Sequence, residues 1–221
     1  MRYVSDTDDT REWREFMVRM QLATRGIRDR RVLEAMRSVP RHLFCPPGTA
    51  PQEAYADHPL PVGSGQTISQ PWMVADMLQA LELEGGETVL EIGTGSGYGA
   101  AVLAKVVAQV HTIELLPELA ESAEQRLREL GYGNITVHVG DGSAGWPEAA
   151  PYDGIVVTAG APEVPEPLKQ QLRDGGRLVV PVGDRFTQEL LVVRRNGSRF
   201  KVEPRGGCRF VPLVGAYGWQ G

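Results

Sequence analysis

Apolar and polar positions along this chain follow three different registers, and each register predicts a different kind of element. Trp13, Phe16, Met17 and Met20, and then Val32, Leu33, Ala35 and Met36, recur every three or four positions, a spacing that places side chains on one face of a helix. Asp29 opens the second of these helices and Pro40 stops it. From residue 88 the register changes to short apolar runs at 88–92, 110–114, 135–139, 154–158 and 177–182, which read as buried strands. Helical stretches at 99–107, 117–130 and 165–172 separate them, so the alternation predicts a parallel sheet with helices on both faces. Strict alternation at 189–195 and 199–203 around Asn196-Gly197 predicts a terminal antiparallel hairpin. Segment 44–65, rich in Pro and Gly, reads as an ordered loop over the surface. Pro71 opens a helix running to about Leu83 that Gly85-Gly86 ends.

Composition narrows this picture. At 221 residues the chain supports one well-packed core, so the expectation is a single domain over 1–221. Within it, 1–12 is a frayed acidic tail, 13–84 holds the N-terminal helices and the loop, and 85–221 holds the sheet. A net charge of −5 argues against nucleic acid as a partner, and Arg28, Arg30 and Arg31 read as a solvated helix face. Cys45 and Cys208 have no metal-ligand spacing around them, which predicts reduced thiols and no metal. No apolar run is long enough to span a bilayer, and the N-terminus is charged where a signal peptide is apolar. The expectation is a cytoplasmic protein with no membrane partner.

The candidate chemistry begins where the first strand runs into Gly93-Thr94-Gly95-Ser96-Gly97-Tyr98-Gly99. Gly93, Gly95 and Gly97 permit positive φ and let a ligand approach the backbone, whereas a plain strand-to-helix connection needs one glycine. Such turns hold dinucleotides or S-adenosylmethionine. Glu114, about 20 residues past the first glycine, suits the ribose hydroxyls of either. Glu91 separates them: a carboxylate just before the turn repels a pyrophosphate and attracts a sulfonium and an ammonium, which favours S-adenosylmethionine over a nicotinamide cofactor. Thr94, Leu115, Asp141, Gly142 and Thr158 also fall beyond the carboxyl ends of the strands, where ligands of such sheets bind, and Asp141-Gly142 is placed to meet an adenine edge.

Four blocks carry a resemblance: 60–71 (LPVGSGQTISQP), the glycine turn, Gly140-Asp141-Gly142, and Arg209-Phe210-Val211-Pro212-Leu213. From about residue 20 to the C-terminus, in order, the chain resembles protein-L-isoaspartate O-methyltransferases. Gln66-Thr67-Ile68-Ser69 combined with the 209–213 block is the specific part of the match; many methyltransferases share the glycine turn. The resemblance implies a Rossmann-like doubly wound, mostly parallel sheet of the class I methyltransferase type, with N-terminal helices and a C-terminal antiparallel hairpin. It implies methyl transfer from S-adenosylmethionine to the α-carboxylate of L-isoaspartyl, and less efficiently D-aspartyl, residues in damaged proteins. S-adenosylhomocysteine is the coproduct, and the methyl ester collapses unaided to a succinimide. By position, Ser69 is the family's active-site serine, with Gln66, Thr67 and Ile68 beside it at the cofactor. Ile68, Ser69, Arg209, Phe210 and Val211 correspond to the substrate-binding residues. Val214 and Trp219 stand where some members carry polar residues that help to enclose the cofactor.

Chemically, a carboxylate is already ionised at neutral pH, so the reaction needs orientation rather than a strong base. Ser69 can donate the orienting hydrogen bond or cap the helix that begins at Pro71. Loop 57–70, with Gly63 and Gly65, is placed to close over the cofactor. His58, His111 and His138 read as structural. The competing readings are a relative that methylates an aspartate of a peptide natural product, a non-catalytic S-adenosylmethionine-binding module, and a nicotinamide-linked oxidoreductase. The isoaspartyl reading carries with it a monomer.

Overall fold

The computed structural model describes residues 6–220. Helix α1 (Asp8–Phe16) begins with a reciprocal cap in which Thr7 and Thr10 each bond the other's backbone N–H. Asp6 lies 2.9 and 3.0 Å from the Arg14 guanidinium, which holds the Asp6 carboxyl well below the usual carboxylate range. Residues 6–12 of the expected tail are capped, ion-paired or helical; residues 1–5 lie outside the described part. A π-helical turn (Met17–Leu22) follows. Its wider turn rotates the buried face, so Met17, Val18 and Leu22 are buried while Phe16 and Met20 of the expected stripe are about half exposed. Helix α2 (Arg30–Ser38) starts as its sequence predicts, with the Asp29 carboxylate accepting from Arg31 and Val32 N–H.

Segment 44–65 is not a loop throughout. It holds the short helix α3 (Pro51–Ala54) and the strand β1 (Leu60–Gly63), which pairs with β2 (Gln66–Ile68) as an antiparallel hairpin. Ser64 and Gly65 both have positive φ (51° and 72°), the geometry of a two-residue hairpin turn. Pro61 and two glycines hid so short a strand. Helix α4 (Pro71–Leu81) stops two residues before the expected end, at a left-handed Glu82.

Seven strands form one sheet in the order β5-β4-β3-β6-β7-β8-β9: β3 (Thr88–Ile92), β4 (Gln109–Glu114), β5 (Ile135–Val139), β6 (Tyr152–Val157), β7 (Leu172–Gly183), β8 (Gln188–Asn196) and β9 (Arg199–Cys208). The first five in that order are parallel, and β8 and β9 add the antiparallel hairpin. This is the doubly wound sheet the alternation predicts. Helices α5 (Tyr98–Leu103), α6 (Pro117–Glu129) and α7 (Glu166–Gln170) connect the parallel strands. The chain reverses direction across the sheet between β3 and β6, opening a crevice beyond their carboxyl ends. Strand β9 runs five residues past its expected end because Arg205 bulges out between the Leu190↔Gly206 and Leu191↔Pro204 pairs. The bulge lets Arg205 bond the buried Asp76 of α4 with two nitrogens, at 2.6 and 2.7 Å, fastening the last strand to the helix layer.

Candidate active site

The crevice is the mouth of a cavity of about 990 Å³. One wall is the turn after β3. Gly93, Gly95 and Gly97 all have positive φ (96°, 53° and 88°), and a Cβ on Gly95 would meet nothing within 4 Å. Gly95 N–H donates to Glu114 Oε2 at 2.8 Å and Leu116 N–H to Oε1 at 3.2 Å, so two backbone bonds fix the carboxylate on the wall. Each oxygen keeps a further lone pair for a ligand hydroxyl. Thr158, at the end of β6, stands 2.9 Å from the Gly93 carbonyl and lines the same wall. An open glycine backbone, an anchored carboxylate at the end of the second strand and this much volume fit an adenosine-bearing cofactor such as S-adenosylmethionine.

Glu91 is elsewhere. Its carboxyl is buried under the start of α5, accepts from Thr112 Oγ1 at 2.7 Å, and sits where a Cβ on Gly99 would have to be. Burial, opposed by that hydrogen bond and reinforced by Glu114, pushes it up to about 8, so it is neutral at pH 7. It is not the counter-charge to a sulfonium that its sequence position suggested. It anchors the turn through a buried chain in which Thr112 Oγ1 also lies 2.7 Å from Thr94 Oγ1. Thr94 and Gly97 are likewise behind the wall. Gly142 and Leu115 reach the cavity, but the Asp141 carboxylate is occupied: it accepts from Ser143 N–H and from Ala216 N–H, at 2.9 and 2.7 Å, and so ties the C-terminal segment to the turn after β5.

The opposite wall comes from the β1–β2 hairpin, the start of α4 and segment 207–214. Gln66, Thr67 and Ser69 line it, while Ile68 is buried behind, paired with Leu60. Ser69 does not cap α4. Asp57 does so from a distance, accepting from Trp72 N–H at 2.8 Å while its other oxygen takes Arg25 and Gln70. Among the described residues, Ser69 Oγ has no partner in the protein. Arg209, Phe210 and Val211 complete the wall, and the Arg209 guanidinium makes no ion pair among the described residues.

Comparison with known proteins decides the family. The family model described as protein-L-isoaspartate(D-aspartate) O-methyltransferase matches residues 13–218. The protein-L-isoaspartate O-methyltransferase 1 of Syntrophobacter fumaroxidans is 59% identical over 208 residues, 94% of this chain and 97% of that relative. The chain belongs to the protein-L-isoaspartate(D-aspartate) O-methyltransferase family. A Methanoculleus marisnigri protein-L-isoaspartate O-methyltransferase is 52% identical, covering 98% of both chains. A solved structure named protein-L-isoaspartate O-methyltransferase superposes with a TM-score of 0.84 at 31% identity, over 93% of this chain and 67% of its own.

Within this O-methyltransferase, three side-chain bonds that shape the site could not be read from the sequence, although the family resemblance had marked position 219. Asp57 caps α4 across 15 positions, Gln188 bonds the Phe210 backbone at 2.8 Å, and Trp219 donates from its indole to Gly160 O at 3.0 Å under the Arg185 guanidinium. Their partners are distant in sequence, so no local pattern marks them. Val214 reaches the cavity, and Trp219 braces it from behind through a bridge to Val214. His58, His111 and His138 do not line the cavity: His111 and His138 stack with their ring nitrogens 3.0 Å apart, and burial lowers both pKa values. His58 pairs with Glu53 on the surface. Among the described residues no group of three metal-ligating side chains occurs, and no helix is long and apolar enough to cross a membrane.

Proposed function

We propose that this chain is a protein repair methyltransferase that esterifies the α-carboxylate of L-isoaspartyl residues, and more weakly of D-aspartyl residues, in damaged proteins and peptides. The observation that carries the reading is the pairing, across one cavity, of a glycine turn with an anchored Glu114 and a wall bearing the unpartnered Ser69 hydroxyl, in a chain matched to this family over nearly its whole length. S-adenosylmethionine supplies, when bound, a sulfonium methyl that a carboxylate takes by in-line displacement, leaving S-adenosylhomocysteine.

The residues of the chain do the rest. Gly93, Gly95, Thr158, Glu114, Leu115 and Gly142 hold the cofactor, with Glu91, Thr94, Gly97 and Asp141 supporting them from behind. Gln66 and Thr67 close the cavity above it. Ser69 donates a hydrogen bond to the substrate carboxylate and turns one oxygen toward the methyl. A hydroxyl suffices, since the nucleophile is ionised without a base. Arg209 gives the incoming carboxylate a counter-charge that the neutral ester no longer feels, which favours release. Segment 209–211 holds the peptide backbone, with the N–H groups of Arg209 and Val211 unpartnered among the described residues. The reading includes a single domain over 1–221 and a cytoplasmic monomer that binds no nucleic acid, in keeping with two free cysteines and a net charge of −5.

The test is methanol release from paired peptides that differ only in Asp against isoAsp. Turnover confined to the isoaspartyl member is expected; equal turnover on both, or none, overturns the reading.

A further inference from the structure

Resting on the assignment of 209–211 as the substrate strip, we infer that Gln188 is a positioning residue that sets the register in which this strip faces the cavity. The β8–β9 ladder ends at the pair Gln188↔Cys208, and the next residues leave the sheet to cross the cavity wall. No backbone partner from β8 follows them. The Gln188 side chain, 5% exposed, continues the ladder by one rung: its Oε1 accepts from Phe210 N–H at 2.8 Å. Its Nε2 donates to Asp184 O at 2.5 Å, so both ends of the carboxamide are committed. A flipped amide would set donor against donor at Phe210 and acceptor against acceptor at Asp184, so only one orientation is stable.

Gly160 completes the clamp. Its N–H donates to Val211 O at 2.8 Å and its carbonyl accepts from Leu213 N–H at 2.9 Å. A Cβ at position 160 would stand 2.9 Å from Gln188 Cδ, so the glycine and the glutamine pack directly against each other. Phe210 N–H, Val211 O and Leu213 N–H are thereby pinned. In extended chain a slip of one residue turns every side chain to the opposite face. Here it would re-aim the side chains of Arg209, Phe210 and Val211, all three of which line the cavity. Gln188 does not line the cavity, so it acts through the strip and not on the reacting atoms.

The experiment compares Gln188→Met, which keeps length and apolar bulk but neither carboxamide bond, with Gln188→Glu assayed at a pH where its buried carboxyl is protonated, so that one oxygen accepts from Phe210 N–H and the hydroxyl donates to Asp184 O. KM for an isoaspartyl peptide, kcat and S-adenosylhomocysteine affinity by calorimetry are measured in each. Gln188→Met is expected to raise KM about tenfold, the worth of one buried hydrogen bond, with kcat and coproduct affinity within about twofold of the parent. Gln188→Glu is expected to restore most of the KM. An unchanged KM in Gln188→Met, a parallel loss of kcat and coproduct affinity, or a Gln188→Glu no better than Gln188→Met overturns the inference. Val211→Pro, which removes a strip N–H, separates this from the parent reading. If it leaves KM unchanged, the strip does not hold substrate and both claims fall. If it raises KM while Gln188→Met does not, only the role of Gln188 falls.

Discussion

The two walls of the cavity are built on different principles. The cofactor wall is made where parallel strands end: its carbonyls and N–H groups are aimed by the sheet, and Glu114 is fixed by backbone bonds from Leu116, two positions beyond the strand, and from Gly95 in the neighbouring turn. The substrate wall has no such frame. It joins a hairpin from one end of the chain to a strip from the other, and long-range side-chain bonds from Asp57, Gln188 and the Asp76–Arg205 pair hold the pieces in place. A rigid sheet edge suits a cofactor that is the same at every turnover. A wall assembled from separately braced segments suits a protein substrate whose flanking residues vary.

Mutations can separate the two. The largest effect is expected at Gly93, where φ is 96° and a Cβ would stand 2.3 Å from Thr158 Oγ1. Gly93→Val combines backbone strain with that overlap, and S-adenosylhomocysteine affinity should fall by roughly 100-fold or more while the far-ultraviolet circular dichroism is retained. Retained affinity would mean that the turn is not where the cofactor rests. Glu114→Ala removes charge-assisted bonds to ribose and should weaken the same affinity by about 2 to 3 kcal/mol, with peptide KM at saturating cofactor nearly unchanged. If peptide KM rose in parallel, the walls would not be separable.

A different effect, on stability and spread along the pH axis, comes from beneath the cofactor wall. Glu91 has a folded pKa of about 8 against an ordinary 4.5. Below 4.5 both folded and unfolded forms are protonated and there is no penalty. Between 4.5 and 8 only the unfolded form releases its proton, so stability falls as pH rises, by at most about 1.4 kcal/mol per pH unit, and the loss levels off above 8. Glu91→Gln removes this dependence. Urea titrations of the two proteins should diverge steadily from pH 5 to 8, with the variant the more stable; parallel curves would show that Glu91 is ionised in the native protein.

How much of this was legible in the sequence follows the same division. The strands β3 to β6, the glycine turn and the β8–β9 hairpin were readable because each is specified by neighbours: apolar runs, left-handed glycines, a two-residue turn, although that turn is Gly197-Ser198, one position beyond the expected Asn196-Gly197. The motif residues Ser69 and Arg209 to Val211 were readable through family resemblance, and the fold brings both to one wall although 140 positions separate Ser69 from Arg209. Glu91 was misread because its position before the turn says nothing about which face of β3 it occupies, and alternation along the strand sends it under α5 while its neighbour Ile92 faces the cavity. The hairpin at 60–68, the Arg205 bulge and the role of Gln188 depend on pairings made only when the chain has folded.

Ser69→Ala tests the division most directly, because Ser69 lies on the same wall as Gln66 and Thr67, to which the proposed function gives the closing of the cavity over the cofactor. Calorimetric binding of S-adenosylhomocysteine and single-turnover methylation of an isoaspartyl peptide should be measured on the same preparation. The division predicts coproduct affinity unchanged within about twofold and a methylation rate lower by about tenfold, the worth of one orienting hydrogen bond. An unchanged rate, or an affinity that falls together with it, would contradict the account.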